Sequence, residues 1–189
     1  MFESMARREF DWNGVQLFWV DERIVPPDDA QSNYRMTREA MLTKAPVPPE
    51  NVHPVPADGT PEEAASRYER TLQAAYGAEV LDPARPLFDI TLLGLGPDGH
   101  TASLLPGEPV LQERKRWVAA VSHGRPEVRI TMTYPAIESS RRVAFLVAGK
   151  EKAAVFRTIR AGGSDVPAAR VRPVGDLVWF VDRAVAGEG

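Results

Sequence analysis

The stretch Phe88–Gly107, FDITLLGLGPDGHTASLLPG, limits what this chain can fold into more than any other. Phe88, Ile90, Leu92 and Leu93 are apolar, with only Asp89 and Thr91 between them. Such a run suits a strand covered on both faces of a sheet. It breaks at Gly94-Leu95-Gly96-Pro97-Asp98-Gly99, where three glycines and a proline fall within six residues. A chain of that composition turns through conformations that strain other residues. His100 leaves the turn directly, and Thr101–Leu105 reads as the first turn of a short helix. An imidazole is therefore expected at the carboxyl end of a buried strand, the edge at which open α/β sheets bind ligands.

Gly94, Gly96 and Gly99 also satisfy GxGxxG. A dinucleotide cradle needs room for a pyrophosphate at a helix N-terminus. Here Asp98 would set a carboxylate beside that anion, and no acidic residue ends a strand about 20 residues later, where the ribose contact belongs. The dinucleotide reading is disfavoured. A purely structural turn, with His100 capping or packing, stays open on the local pattern alone.

A chain of 189 residues is most simply one domain, here 1–189, with enough length to bury a core. Its 43% hydrophobic and 26% charged residues are ordinary for a globular protein. A net charge of −3 with no basic patch argues against nucleic acid as a partner. Binding of an anion must then rest on a few placed cations. The absence of cysteine excludes disulfides, thiol nucleophiles and thiolate-held metals. His53, His100 and His123 are the only histidines and show no metal-ligand spacing, so no metal or cofactor is expected. The start, MFESMARREF, lacks the apolar run of a signal peptide, and no stretch approaches a membrane helix. A cytoplasmic location follows by default.

Glu3–Phe10 reads as the tail of a helix, and Val15–Val20 as an interior strand ending in Asp21-Glu22-Arg23. Ser32 is a natural N-cap for a helix over Tyr34–Thr43. The proline-rich connection that follows has room for a short strand at Val52–Val55, with His53 exposed or in a loop. Thr60-Pro61-Glu62-Glu63 starts a helix that runs to about Tyr76 and stops at Gly77. Strands are expected at Trp117–Val121, Val128–Thr133 and Arg142–Ala148, and short helices at Tyr134–Ser139 and Ala153–Ile159. His123 falls in an exposed turn. Ala168–Pro173 and Leu177–Val181 close the domain. Strands alternating with helices predict an α/β fold with a mainly parallel central sheet and helices on both faces.

LLGLGPDGHTASLLPG closely resembles the signature of the 6-phosphogluconolactonases, which share a larger fold family with glucosamine-6-phosphate deaminase and ribose-5-phosphate isomerase. The deaminase counterpart continues after Gly-His with an Ile-Ala-Phe-Asn-Glu-Pro type of sequence, which Thr101–Gly107 lacks. Three further strings, DER…SN, RITMT and GKEK, fall in the lactonase order. The resemblance implies a three-layer αβα, Rossmann-like fold and hydrolysis of 6-phospho-D-glucono-1,5-lactone to 6-phosphogluconate in the pentose phosphate pathway. By the same resemblance Arg23 and Lys152 hold the substrate phosphate, and Asn33 lines the site. A guanidinium suits phosphate because its fixed fork bonds two oxygens together. His100 is the expected general base, its reference pKa near about 6.5 leaving a neutral fraction at pH 7. Asp98 orients the imidazole or bonds sugar hydroxyls. Backbone N–H groups of the turn, at Gly96 and Gly99, are candidate oxyanion donors. Arg129 either lines the site or makes a structural ion pair, and Lys152 alone would read as a surface lysine.

In the family a helix, a strand, a Ser-Gly-Gly-Ser/Thr-x-Pro loop and another helix precede the Asp-Glu-Arg strand. Phe2–Phe10 resembles only the tail of that last helix, and the loop motif does not occur here. Either the true start lies upstream or this is a truncated member, and the chain as given is expected to be monomeric or weakly dimeric, with weak phosphate binding and slow turnover. The alternatives are a sugar-phosphate isomerase or deaminase on the same fold, and a weakly active sugar-phosphate-binding protein.

Overall fold

The structure, a computed structural model, describes residues 1–122 and 127–187. The expected turn at His123 lies outside the described residues. The helices are α1 (Phe2–Ala6), α2 (Asn33–Thr37), α3 (Pro61–Tyr76), α4 (Tyr134–Glu138), α5 (Ala153–Arg160), α6 (Pro167–Arg170) and α7 (Arg183–Ala186). The strands are β1 (Leu17–Phe18), β2 (Asp21–Arg23), β3 (Val52–His53), β4 (Thr91–Leu93), β5 (Val118–Val121), β6 (Arg129–Met132), β7 (Arg142–Val147) and β8 (Asp176–Val181).

Helix α3 follows its sequence signals closely. Thr60 Oγ1 accepts from the Glu63 N–H, and the Glu63 carboxylate accepts from the Thr60 N–H, a reciprocal capping box. Gly77 ends the helix at φ 77°, the left-handed conformation that glycine enters without a Cβ penalty. Ala64, Ala65, Tyr68 and Leu72 recur on one face and are buried. Truncating Leu72 to alanine would cost about 2–5 kcal/mol through lost burial and a cavity. Tyr68 does more than fill space. Its hydroxyl accepts from the Trp19 N–H at 2.7 Å and donates to the Trp19 carbonyl at 2.9 Å. Trp19 lies between β1 and β2, outside any strand ladder, so one buried phenol satisfies both of its peptide groups. Burial pushes the Tyr68 phenol far above its ordinary pKa, which keeps it a donor.

The parallel α/β expectation holds in two pieces. β4, β7 and β8 form a parallel sheet in the order β4-β7-β8, and β1 pairs in parallel with β3. Phe145 on β7 stacks on Trp179 of β8 with ring centroids 4.0 Å apart. A third sheet, β2-β6-β5, is antiparallel and was not anticipated. Val15–Val20 is not one strand. Only Leu17–Phe18 pairs with β3, while Asp21–Arg23 separates to pair with β6. The separation occurs where the Trp19 peptide turns to Tyr68.

The expected strand at Phe88–Leu93 is shorter and less covered than its composition suggested. Thr91 and Leu93 are buried, whereas Ile90 is 54% exposed. Alternate residues of a strand point to opposite faces. The Ile90 and Leu92 side meets an apolar cleft of about 380 Å³, shared with Leu17, Phe18, Val20 and Phe88. That cleft separates β4 from β1. His53 also departs from expectation. It is half-buried, stacked on Phe18 with centroids 4.5 Å apart, and Nε2 lies 3.0 Å from Gln16 Oε1. Burial lowers its pKa.

Candidate active site

The glycine turn leaves β4 and closes on itself. The Gly96 N–H donates to the His100 carbonyl at 2.9 Å, and the Gly99 N–H donates to the Gly96 carbonyl at 3.0 Å. Within this loop Asp98 Oδ1 accepts from the His100 N–H at 3.1 Å and lies 2.5 Å from His100 Nδ1. An ionised carboxylate only accepts, so Nδ1 carries the proton of the neutral ring and Nε2 is the basic nitrogen. Partial burial opposes ionisation of Asp98. The hydrogen bonds from the His100 backbone and ring outweigh it and hold the carboxyl below its usual range.

Both site glycines are required for shape. A Cβ on Gly96 would lie 2.1 Å from His100 Nδ1 and 2.7 Å from Asp98 Oδ1. Gly99 has φ 82°, and a Cβ there would meet the Val166 side chain at 2.5 Å. The expected oxyanion role needs correction for these two residues, since both N–H groups are engaged inside the turn.

Thr101–Leu105 does not start a helix. Thr101 and Leu104 face each other as a bridge, with the Leu104 N–H donating to the Thr101 carbonyl at 2.9 Å. Ala102 sits in this tight turn at φ 50°. That conformation costs an alanine about 1–2 kcal/mol and persists because its surroundings fix it. The turn delivers Ser103 across the fold. Its Oγ donates to Asp21 Oδ2 at 2.7 Å, and its N–H donates to Thr131 Oγ1 at 3.3 Å. Burial raises the pKa of Asp21, against the Ser103 hydrogen bond and the nearby charges of Arg129 and Arg23.

Lys152 reaches the same place from β7. Gly149, at φ 108°, turns the chain out of the strand, and its N–H donates to Asp182 Oδ2 at 3.0 Å. Lys152 is half-buried while Lys150 is exposed. A cleft of about 250 Å³ is lined by Asp21, Gly96, His100, Ala102 and Lys152. Imidazole, ammonium and carboxyl thus converge from three different strand ends.

Arg23, Asn33 and Arg129 form a second group beside this cleft. Asn33 Nδ2 donates to the Asp21 carbonyl at 2.9 Å, and its Oδ1 accepts from Arg23 Nη1 at 3.4 Å. Asn33 therefore orients Arg23. Arg23 Nη1 also donates to the Gln31 carbonyl at 2.7 Å. Arg23 and Arg129 stand opposite each other in the β2–β6 register. Arg129 Nη2 pairs with Glu127 Oε1 at 2.6 Å, and Arg23 Nε lies 3.9 Å from the same oxygen. Of the two alternatives for Arg129, the ion pair is the one observed, made with Glu127 beside Arg23.

Sequence reasoning gave no specific site role to Asp21, Glu22, Ser103 or Glu127. Glu22 organises the Arg23 group from beneath. Its carboxylate, 4% exposed, accepts from the N–H groups of Arg23, Asn33 and Tyr34, each at 2.8 Å, and from Ser32 Oγ at 3.1 Å. Ser32 in turn caps α2 by accepting from the Arg35 N–H, as expected. A carboxylate at a helix N-terminus gains from the unsatisfied N–H groups there. The signal available was the Asp-Glu-Arg string at the end of the apolar run Val15–Val20.

The sequence profile of the glucosamine-6-phosphate isomerases/6-phosphogluconolactonase family matches residues 1–179. The chain is 39% identical to 6-phosphogluconolactonase 3, chloroplastic, of Arabidopsis thaliana, over all of this chain and 60% of that one. It is 40% identical to a 6-phosphogluconolactonase of Synechocystis, over all of this chain and 78% of that one. The crystal structure of 6-phosphogluconolactonase from Thermotoga maritima superposes with a TM-score of 0.83 at 35% identity, covering 95% of this chain and 78% of that one. The chain therefore spans from 60% to 79% of the length of the first plant and cyanobacterial relatives it matches. On the profile match and on relatives of this identity and coverage, the chain belongs to the glucosamine-6-phosphate isomerase/6-phosphogluconolactonase family.

Proposed function

We propose that this chain hydrolyses 6-phospho-D-glucono-1,5-lactone to 6-phosphogluconate. The observation that carries the reading is the His100–Asp98 pair, 2.5 Å apart, in a cleft that Lys152 also lines. A lactone is a cyclic ester with a modest barrier, so orientation, an activated water and charge stabilisation suffice. His100 Nε2 takes a proton from water as its oxygen adds to C1. Asp98 holds the ring in the required tautomer and stabilises the imidazolium. The imidazolium then returns its proton to the ring oxygen as the C1–O bond breaks, giving the open acid. Lys152 and Arg23 hold the phosphate, with Asn33 fixing the Arg23 fork.

No serine nucleophile enters this scheme, since Ser103 Oγ is committed to Asp21. Among the described residues no helix is long and apolar enough to cross a membrane. The deciding experiment follows lactone hydrolysis by the purified chain with spontaneous hydrolysis subtracted. Turnover above background supports the reading, and 6-phosphogluconate binding without turnover would replace it with a binding protein. A second reading, isomerisation or deamination on the same fold, draws on Asp21, a carboxyl in the same cleft with a raised pKa. Ammonia release from glucosamine 6-phosphate would mark it.

A further inference from the structure

Two guanidiniums stand side by side on β2 and β6 with one carboxylate between them. Arg129 is 8% exposed and pairs with Glu127 Oε1 through Nη2 at 2.6 Å. Its Nε is buried, and among the described residues it has no hydrogen-bond partner. Arg23 Nε points to the same Glu127 oxygen but stops at 3.9 Å, beyond hydrogen-bonding distance. A buried donor left without an acceptor is costly. Glu127 therefore neutralises this site only partly: one carboxylate cannot serve both forks and the Arg129 Nε together. A phosphoryl group brings more acceptor oxygens and up to two negative charges, which fits two forks.

We propose that Glu127 is a resident anion on the Arg23–Arg129 pair, which an incoming phosphoryl group must displace, so that Glu127 sets how tightly and how selectively the site takes phosphate. The proposal rests on the phosphate-anchor reading of Arg23 given above. The Arg129 hydrogen bond holds the Glu127 carboxyl below its usual pKa, so it remains charged through the neutral range and competes as an anion. Its side chain is 20% exposed, which leaves it a path towards water when displaced. Glu127 thus weakens every phosphorylated ligand. It also keeps the arginines paired and ordered while the site is empty.

The test is calorimetric titration of wild type, Glu127→Gln and Arg23→Ala with 6-phosphogluconate, inorganic phosphate and gluconate at fixed ionic strength. Glu127→Gln should tighten both phosphate-bearing ligands by roughly 3- to 10-fold, the scale of a partly exposed ion pair, with gluconate unmoved. Unchanged or weaker phosphate binding by Glu127→Gln, with Arg23→Ala still weakening it, overturns the role of Glu127. Phosphate binding indifferent to Arg23→Ala overturns the anchor reading instead. A crystal structure of the unmutated protein with 6-phosphogluconate is independent of how the variant folds. A phosphate oxygen bonded to Arg129 Nε, with Glu127 turned away, supports displacement; Glu127 still on Arg129 beside a bound phosphate contradicts it.

Discussion

Asp98 Oδ1 lies 2.5 Å from His100 Nδ1 and also accepts the His100 N–H, so one carboxylate fixes both the backbone and the tautomer of the candidate base. Asparagine keeps the shape but cannot stabilise the imidazolium by charge. Asp98→Asn is predicted to lower kcat for the lactone by on the order of 10–10²-fold with little change in KM. Steady-state kinetics check this; a raised KM at unchanged kcat would mean that Asp98 binds sugar hydroxyls instead.

Gly96 is predicted to be intolerant of any side chain for a reason specific to the dyad. Its Cβ would fall 2.1 Å from His100 Nδ1, so the ring must leave its place. Gly96→Ala should lose kcat nearly as fully as removal of His100 itself, while its melting temperature falls only modestly. Kinetics and a thermal melt on the same preparation separate the two effects. Full activity in Gly96→Ala would mean that the dyad geometry is not needed.

Arg23 and Lys152 are expected to act on the phosphate and not on the chemistry. A charge-assisted hydrogen bond is worth roughly 1.5–3 kcal/mol, so Arg23→Ala or Lys152→Ala should weaken 6-phosphogluconate binding roughly 10- to 150-fold. Gluconate, lacking the phosphate, should bind the variants and wild type alike. Equal losses for both ligands would assign these residues to the fold.

The parts legible in the sequence were those written in local code. Helix α3 declared its cap, its face and its stop within Thr60–Gly77, and the structure keeps all three. His100 was placed by the turn before it. Lys152 was singled out over Lys150 by the Gly149 exit from β7 and the family resemblance, and in the structure Lys152 is half-buried and lines the His100 cleft while Lys150 is exposed. The parts that stayed hidden depend on distant partners. Ser103 and Asp21 are 82 residues apart and meet only because Ala102 adopts a left-handed turn that its own identity disfavours. Asp21–Arg23 reads as the end of an apolar strand, yet Tyr68 captures the Trp19 peptide and frees those residues for an antiparallel partner. Neither event leaves a periodic signature.

Asp21 offers a prediction in pH. Burial raises its pKa, so the folded state prefers the protonated carboxyl. Stability drawn from that preference is present below the unfolded value and is lost as pH rises through the folded value. Asparagine keeps an acceptor for Ser103 Oγ and cannot ionise. Asp21→Asn should therefore melt higher than wild type at neutral pH, with the gain shrinking as pH falls through the raised folded value and gone below about 4. A melting difference that is constant with pH, or reversed, would show that Arg23 and Arg129 hold Asp21 ionised at no cost.

The most direct test is kcat for 6-phosphogluconolactone, background-corrected, in wild type and in His100→Ala prepared side by side. The account predicts turnover above spontaneous hydrolysis in wild type and a fall on the order of 10²-fold in the variant, with 6-phosphogluconate binding nearly unchanged because Arg23 and Lys152 remain. A His100→Ala protein that keeps most of the wild-type enzymatic rate would contradict it.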